Sequence, residues 1–139
     1  MNPAWPVTGP APPGDPAMRF AVLGYGRFGE AFTSLLAGAG HAVRVFDPQA
    51  RVPQALAAPS LRAALDDAAW VVLAMPVSQV REALHAARPL LYAGQIVFDV
   101  GSVKVHPCAA MEELLGSAIP HVGTHPLFGP LSLARGEPR

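Results

Sequence analysis

His125 is the residue in this chain best suited to accept a proton. It lies in the segment Gly123-Thr124-His125-Pro126-Leu127-Phe128-Gly129-Pro130. A histidine held in a stiff loop between glycine and proline can take the proton of a substrate hydroxyl positioned against a nicotinamide ring. An imidazole in that role needs a partner to fix its tautomer, and Ser102 and Thr124 carry hydroxyls suited to it. A purely structural histidine is the competing reading. Lys104 also has two readings, a cation for a substrate carboxylate or a charge that merely flanks the next helix. His121 is read as structural, because an i, i+4 pair on an extended segment does not converge on a metal ion. No metal site is expected, and the single cysteine, Cys108, excludes an internal disulfide and any multi-cysteine zinc site. Cys108 follows Pro107 near a predicted helix start and is read as a small structural residue rather than an activated thiol.

Such groups act only if their loops reach one edge of a common scaffold. The segment Arg19 to Gly29, RFAVLGYGRFG, is an apolar run that breaks into Gly24-x-Gly26-x-x-Gly29 and then into a helical pattern. It reads as strand, tight turn and helix start. Gly24 allows the turn, Gly26 leaves room for a pyrophosphate to approach the main chain, and Gly29 lets the helix pack closely on the strand. The free amides of the helix start then face the phosphates. A second strand, His41 to Phe46, ends in Asp47, about 20 residues past the glycines, where a carboxylate accepts hydrogen bonds from the adenosine ribose hydroxyls. The cofactor-binding set is therefore Gly24, Tyr25, Gly26, Arg27, Phe28, Gly29 and Asp47. Gly101 joins it from a later strand end.

Around this loop the chain alternates strands with helices. Phe32, Leu35 and Leu36 share one helical face, with Gly40 as a plausible C-cap. Pro48, Pro53 and Pro59 interrupt the pattern after Asp47, so the expected third strand is short or absent. Ser60 is a candidate cap for a helix through about Asp66. Trp70 to Met75, WVVLAM, has the continuous apolar character of a strand buried on both faces. Met75, Pro76 and Val77 leave its carboxyl end, either as walls of a ligand crevice or as a plain strand end. A helix over Ser78 to Arg88 turns Val80, Leu84 and Ala87 inward and leaves His85 on the surface. Gln95 to Val100 forms the next strand, His106 to Leu115 a helix, and Ile119 to Val122 a further strand. Right-handed crossovers linking such units give an α/β, doubly wound, Rossmann-like parallel sheet.

Of 139 residues, 51% are hydrophobic and 14% charged, with zero formal net charge, as expected of one globular domain. No basic block suggests a nucleic-acid partner or a polybasic membrane patch. No apolar run approaches the roughly 20 residues needed to cross a bilayer. No secretory signal is recognisable, and a cytoplasmic location is expected. Met1 to Ala17, rich in proline and glycine, reads as a flexible tail with Trp5 an incidental residue, and 18–139 as the dinucleotide-binding domain.

Three elements in this order, the glycine loop with Asp47, DVGSVK at Asp99 to Lys104, and GTHPLFGP at Gly123 to Pro130, resemble the prephenate and arogenate dehydrogenases of tyrosine biosynthesis. The similarity covers Arg19 to about Pro130, the nucleotide-binding domain. It implies NAD as cofactor and prephenate or arogenate as the small-molecule substrate. By that resemblance His125 accepts the ring hydroxyl's proton while hydride passes to the nicotinamide, Ser102 helps orient it, and carbon dioxide leaves. With Lys104 and Thr124, taken from the reading of the two polar clusters, Ser102 and His125 form the expected substrate-binding set.

Two departures stand out. LSLARGEPR follows Pro130 where the family usually has a polar pair such as glutamate-serine, and the chain stops at Arg139. The family's helical second domain, which forms the homodimer and supplies arginines for substrate carboxylates, is expected to be missing. Two classes of function follow: the cofactor domain of a tyrosine-pathway dehydrogenase, or a catalytically silent nucleotide-binding module.

Overall fold

The computed structural model describes residues 17–126. The expected tail falls outside them except for Ala17, as do Leu127 to Pro130 of the histidine segment and the LSLARGEPR departure. Five strands, β1 (Arg19–Leu23), β2 (Ala42–Phe46), β3 (Trp70–Leu73), β4 (Ile96–Asp99) and β5 (His121–Gly123), form one sheet in the order β2-β1-β3-β4-β5. Every pairing is parallel. The strands are separated by α1 (Arg27–Gly38), α2 (Leu61–Leu65), α3 (Val77–Ala87) and α4 (Val105–Leu115), and a 3₁₀ turn at Arg88–Leu90 follows α3 at Pro89.

The central strands are apolar on both faces, as burial from both sides requires. One face carries Ala21, Leu23, Val71, Leu73 and Val97 against α2, α3 and α4. The other carries Phe20, Val22, Val43, Val45 and Val72 against Leu36 and Phe32 of α1. Phe32 and Trp70 both meet the Phe98 ring edge-on, at 6.3 and 6.0 Å. Val80, Leu84 and Ala87 of α3 are buried as their spacing predicts. Ser60 caps α2, its hydroxyl accepting the Ala63 amide at 3.0 Å. Gly40, one residue past the cap of α1, takes φ 90°. The expected third strand is reduced to a single parallel bridge, Val45 to Ala57. Prolines on both sides of that bridge leave no room for a longer ladder.

Gln95, an ordinary member of the predicted strand, is fully buried just before β4. Its amide donates to the carbonyls of Leu65 (2.6 Å) and Ala68 (3.0 Å), and its Oε1 accepts the Tyr92 amide at 3.1 Å. A buried side-chain amide is tolerated only with such partners, and here it joins the turn after α2 to the turn before β4. All the loops considered for chemistry leave the carboxyl ends of strands, on one rim of the sheet.

Candidate functional site

The glycine loop joins β1 to α1 and lies against the end of β3, because β1 pairs with both β2 and β3. Gly24 has φ 107°, a conformation that side chains rarely adopt, and a Cβ added there meets the Ala74 carbonyl carbon at 2.7 Å. A Cβ on Gly29 meets the Gly24 carbonyl oxygen at 2.3 Å. Both residues are therefore demanded by the protein's own packing. Gly26 differs: its φ of −76° suits any residue, and a Cβ there meets nothing within 4 Å. It is the N-cap of α1 with no side-chain cap, so the first amides of the helix face open space. An uncapped helix start beside open space fits a pyrophosphate.

A cleft of about 700 Å³ opens from that helix start across the ends of β1, β2 and β3. Gly24, Gly26, Asp47, Met75 and Pro76 line it, as the strand-end argument predicts. Tyr25, Arg27, Phe28, Gly29, Val77 and Gly101 do not line it. Tyr25 packs on the α1 face, and burial, with Glu30 nearby, raises its phenol above the usual value. Arg27 lines a shallow surface hollow with Glu30. The Phe28 ring lies 5.7 Å from that of Phe32, and a Cβ on Gly101 meets Val77 Cγ2 at 3.1 Å. Sequence reasoning missed Pro48, Gln49, Leu61, Gln79, Glu82, Ala83 and Ala86, which also line the cleft. The only local signal for the last four was their position on α3 away from the inward Val80-Leu84-Ala87 stripe.

Asp47 is more heavily engaged than a free ribose acceptor. Its Oδ2 accepts the Tyr25 amide at 2.8 Å, and its Oδ1 accepts the amides of Gln49 (2.9 Å) and Ala50 (3.0 Å). Partial burial raises its pKa, but the three backbone hydrogen bonds together outweigh that and hold it below the usual carboxylate range. A carboxylate has about four lone-pair sites, so capacity remains for a ribose hydroxyl. A folded pKa below the unfolded one adds stability that is fully present above about pH 4 and is lost as pH falls through the folded value. Asp47→Asn is expected to flatten the acid limb of the stability profile. Urea melts between pH 2 and 6 that superimpose for the two proteins would refute this.

At the other end of the rim, Ser102 and His125 are exposed and lie on neighbouring loops, because β4 pairs with β5 and Asp99 stands opposite Gly123. Asp99, to which sequence reasoning gave no role, is buried. It accepts hydrogen bonds from the Lys104 ammonium and from the amides of Gly101 (3.1 Å) and Thr124 (3.3 Å). The Thr124 hydroxyl donates to the Asp99 carbonyl, and the Lys104 ammonium also donates to the Thr124 carbonyl. The signal for Asp99 was an acid closing an apolar strand, with a lysine five residues on. His121 Nδ1 lies 2.9 Å from the Ile119 carbonyl oxygen. Cys108 is half-buried, and a Cβ on Gly123 would meet its sulfur at 2.5 Å. Among the described residues, no group of three or more His, Cys, Asp or Glu side chains could hold a metal ion, and no helix is long and apolar enough to cross a membrane.

Comparisons with known proteins agree with this geometry. The T-protein of Haemophilus influenzae is 31% identical over 108 residues, which span 78% of this chain and 26% of that protein. A glycerol-3-phosphate dehydrogenase [NAD(P)+] of Anaeromyxobacter sp. strain K is 33% identical over 136 residues, 83% of this chain and 41% of that protein. The chain thus spans well under half the length of these relatives. The crystal structure of prephenate dehydrogenase from A. aeolicus, in complex with hydroxyphenyl propionate and NAD+, has a similar fold. Its TM-score is 0.66 at 23% identity, with 82% of this chain and 43% of that chain covered. The family model described as the nucleotide-binding domain of prephenate dehydrogenase matches residues 52–136, from the turn after β2 through both the Asp99 to Lys104 and the His125 segments. With a parallel sheet, a glycine loop and a phosphate cradle already in place, that match makes this chain a member of the prephenate dehydrogenase nucleotide-binding domain family.

Proposed function

We propose that this chain is the cofactor half of a cytoplasmic dehydrogenase that oxidatively decarboxylates prephenate, arogenate or both, in tyrosine biosynthesis. One observation carries the reading. The pairing of Asp99 with Gly123 sets the Ser102 and His125 loops side by side on the rim that also bears the glycine loop. NAD is the cofactor: Gly24, Gly26 and the start of α1 hold its pyrophosphate, and Asp47 holds the adenosine ribose. When bound it accepts a hydride. His125 takes the proton of the substrate's ring hydroxyl, with Ser102 orienting the reacting groups, as the electrons left by the departing carboxylate aromatise the ring. The hydroxyphenyl propionate in the A. aeolicus structure, a phenol, supports an aromatic product. The glycerol-3-phosphate dehydrogenase relatives support the coarser part, an NAD(P)-dependent dehydrogenase. A homodimer, formed through a further domain, completes the proposal.

Assays of the longest natural form of the protein with NAD and prephenate, arogenate or glycerol 3-phosphate test this directly. NADH formation with release of carbon dioxide from either of the first two is expected. Turnover of glycerol 3-phosphate alone would overturn the proposal.

Two further outcomes are expected. NADH should bind about 10-fold more tightly than NADPH, because the ionised Asp47 beside the ribose repels a 2′-phosphate. Equal or tighter binding of NADPH in a fluorescence titration would refute this. The 139-residue chain alone should bind NAD yet turn over neither substrate at a useful rate. Orientation of substrate and catalytic group supplies roughly 7 to 11 kcal/mol of barrier lowering, and exposed Ser102 and His125 cannot by themselves hold a dianionic substrate. Rates near those of complete dehydrogenases would refute this.

A further inference from the structure

The two loops that carry the proposed chemistry hang from one buried residue. Asp99 is 1% exposed and closes β4. Its carboxylate accepts the Gly101 amide at the start of the Ser102 loop and, at 3.3 Å, the Thr124 amide immediately before His125, while the Thr124 amide (3.2 Å) and hydroxyl also donate to the Asp99 main-chain carbonyl. Lys104, at the N-cap position of α4, closes the triangle by donating both to Asp99 and to the Thr124 carbonyl. Two of the three donors of its ammonium are thus engaged within the protein. Its charge is offset by an adjacent anion whose own side chain is 1% exposed. Such a pair presents a dipole, not a net cation, to a substrate carboxylate on the rim. A carboxylate buried this deeply also requires its counter-charge, since removing one partner leaves the other uncompensated.

We infer that Asp99 and Lys104 are a paired positioning device that sets the Ser102 loop against the His125 loop, and that Lys104 acts through Asp99 and Thr124, not by binding the substrate carboxylate. The inference deepens the proposed function and rests on it for its kinetic test alone. It replaces both sequence readings of Lys104, a cation for a substrate carboxylate and a charge flanking the helix, with a role legible only from the hydrogen bonds. Because misplacing catalytic groups by about 1 Å costs on the order of 10²-fold in rate, loss of either partner falls on kcat. Two residues that act as one unit also show strongly non-additive effects.

Kinetics of Lys104→Met, Asp99→Asn and the double variant in the longest natural form of the protein test this. Each single change is expected to lower kcat by about 10- to 100-fold with substrate KM within about threefold, and the double variant to lose little beyond the worse single one. A lysine that binds substrate behaves otherwise: Lys104→Met raises KM by about 10-fold or more, Asp99→Asn does not, and Lys104→Arg restores KM. That pattern would overturn the inference. A second measurement needs neither turnover nor a second domain. In ¹H–¹⁵N spectra of the 139-residue chain, Lys104→Met should shift both the Ser102 amide and the His125 resonances, while those of β1 and α1 stay in place. Unmoved Ser102 and His125 resonances in a folded Lys104→Met protein would overturn the inference whatever the substrate. Absence of turnover in the unaltered enzyme would count against the proposed function and leave the spectra to decide the positioning role.

Discussion

Asn in place of His125 should lower turnover by about 10² to 10⁴-fold in a complete enzyme, the usual contribution of a positioned acid–base group. Nucleotide affinity should stay nearly unchanged. The two effects separate because of where the residue lies. His125 follows β5, at the far end of the strand order from β2, whereas the cleft proposed for the pyrophosphate and adenosine ribose runs across the ends of β1, β2 and β3 and has no contribution from His125. Its side chain is exposed, so asparagine there creates no cavity and buries no unpaired group. Steady-state kinetics alongside an NADH titration check both halves. A variant that keeps more than a tenth of the wild-type rate would make His125 a structural residue, and one that loses NADH affinity in parallel would place it beside the cofactor.

The second large effect distinguishes two glycines of one motif. Gly29→Ala puts a methyl 2.3 Å from the Gly24 carbonyl oxygen, a contact between backbone-fixed atoms that no rotamer relieves. The first turn of α1 must then move away from the loop. Overpacking of this kind costs about 1 to 3 kcal/mol and sometimes more, a substantial part of a domain stability of roughly 5 to 15 kcal/mol. A fall in Tm of about 5 °C or more is expected, together with loss of NAD binding. Gly26→Ala should do the opposite. With nothing within 4 Å and an ordinary φ, stability should change by no more than about 1 kcal/mol, the scale of an N-cap substitution. NAD affinity should still fall by about 10-fold or more, because the new methyl fills the approach to the helix amides. Thermal melts and titrations of the two variants, run together, are the check. If Gly26→Ala bound NAD normally, the cradle would have no role in cofactor binding.

The same contrast shows what could be read from the residues alone. The glycine spacing after an apolar run, the acid closing the second strand, the cap at Ser60 and the positive-φ glycine just past the Ala39 cap of α1 are local devices. Their physics acts within one turn or one strand end, so the order of residue types was enough to locate them. The alternation of apolar runs with helical periodicity was legible for the same reason, and so was the weakness of the chain after Asp47, where closely spaced prolines remove ladder donors.

What the residues could not reveal depended on which strands become neighbours. Nothing in the local pattern says that β3 lies beside β1, yet only that pairing brings Ala74 against Gly24 and makes that glycine obligatory for packing as well as for its turn. The motif already separates Gly26, left open for a pyrophosphate, from its two companions, and the structure adds the atoms that a side chain at Gly24 or Gly29 would meet. Asp99 drew no attention because its partners lie at different distances along the chain, Gly101 and Lys104 close by and Thr124 25 residues on. They converge on it because β4 pairs with β5, so Asp99 stands opposite Gly123. The sequence determined which residues could carry charge, turn or cap. The tertiary structure decided which of them are engaged by other parts of the protein and which are left facing a ligand, because burial and hydrogen-bond partnership are set by strand register and not by spacing along the chain.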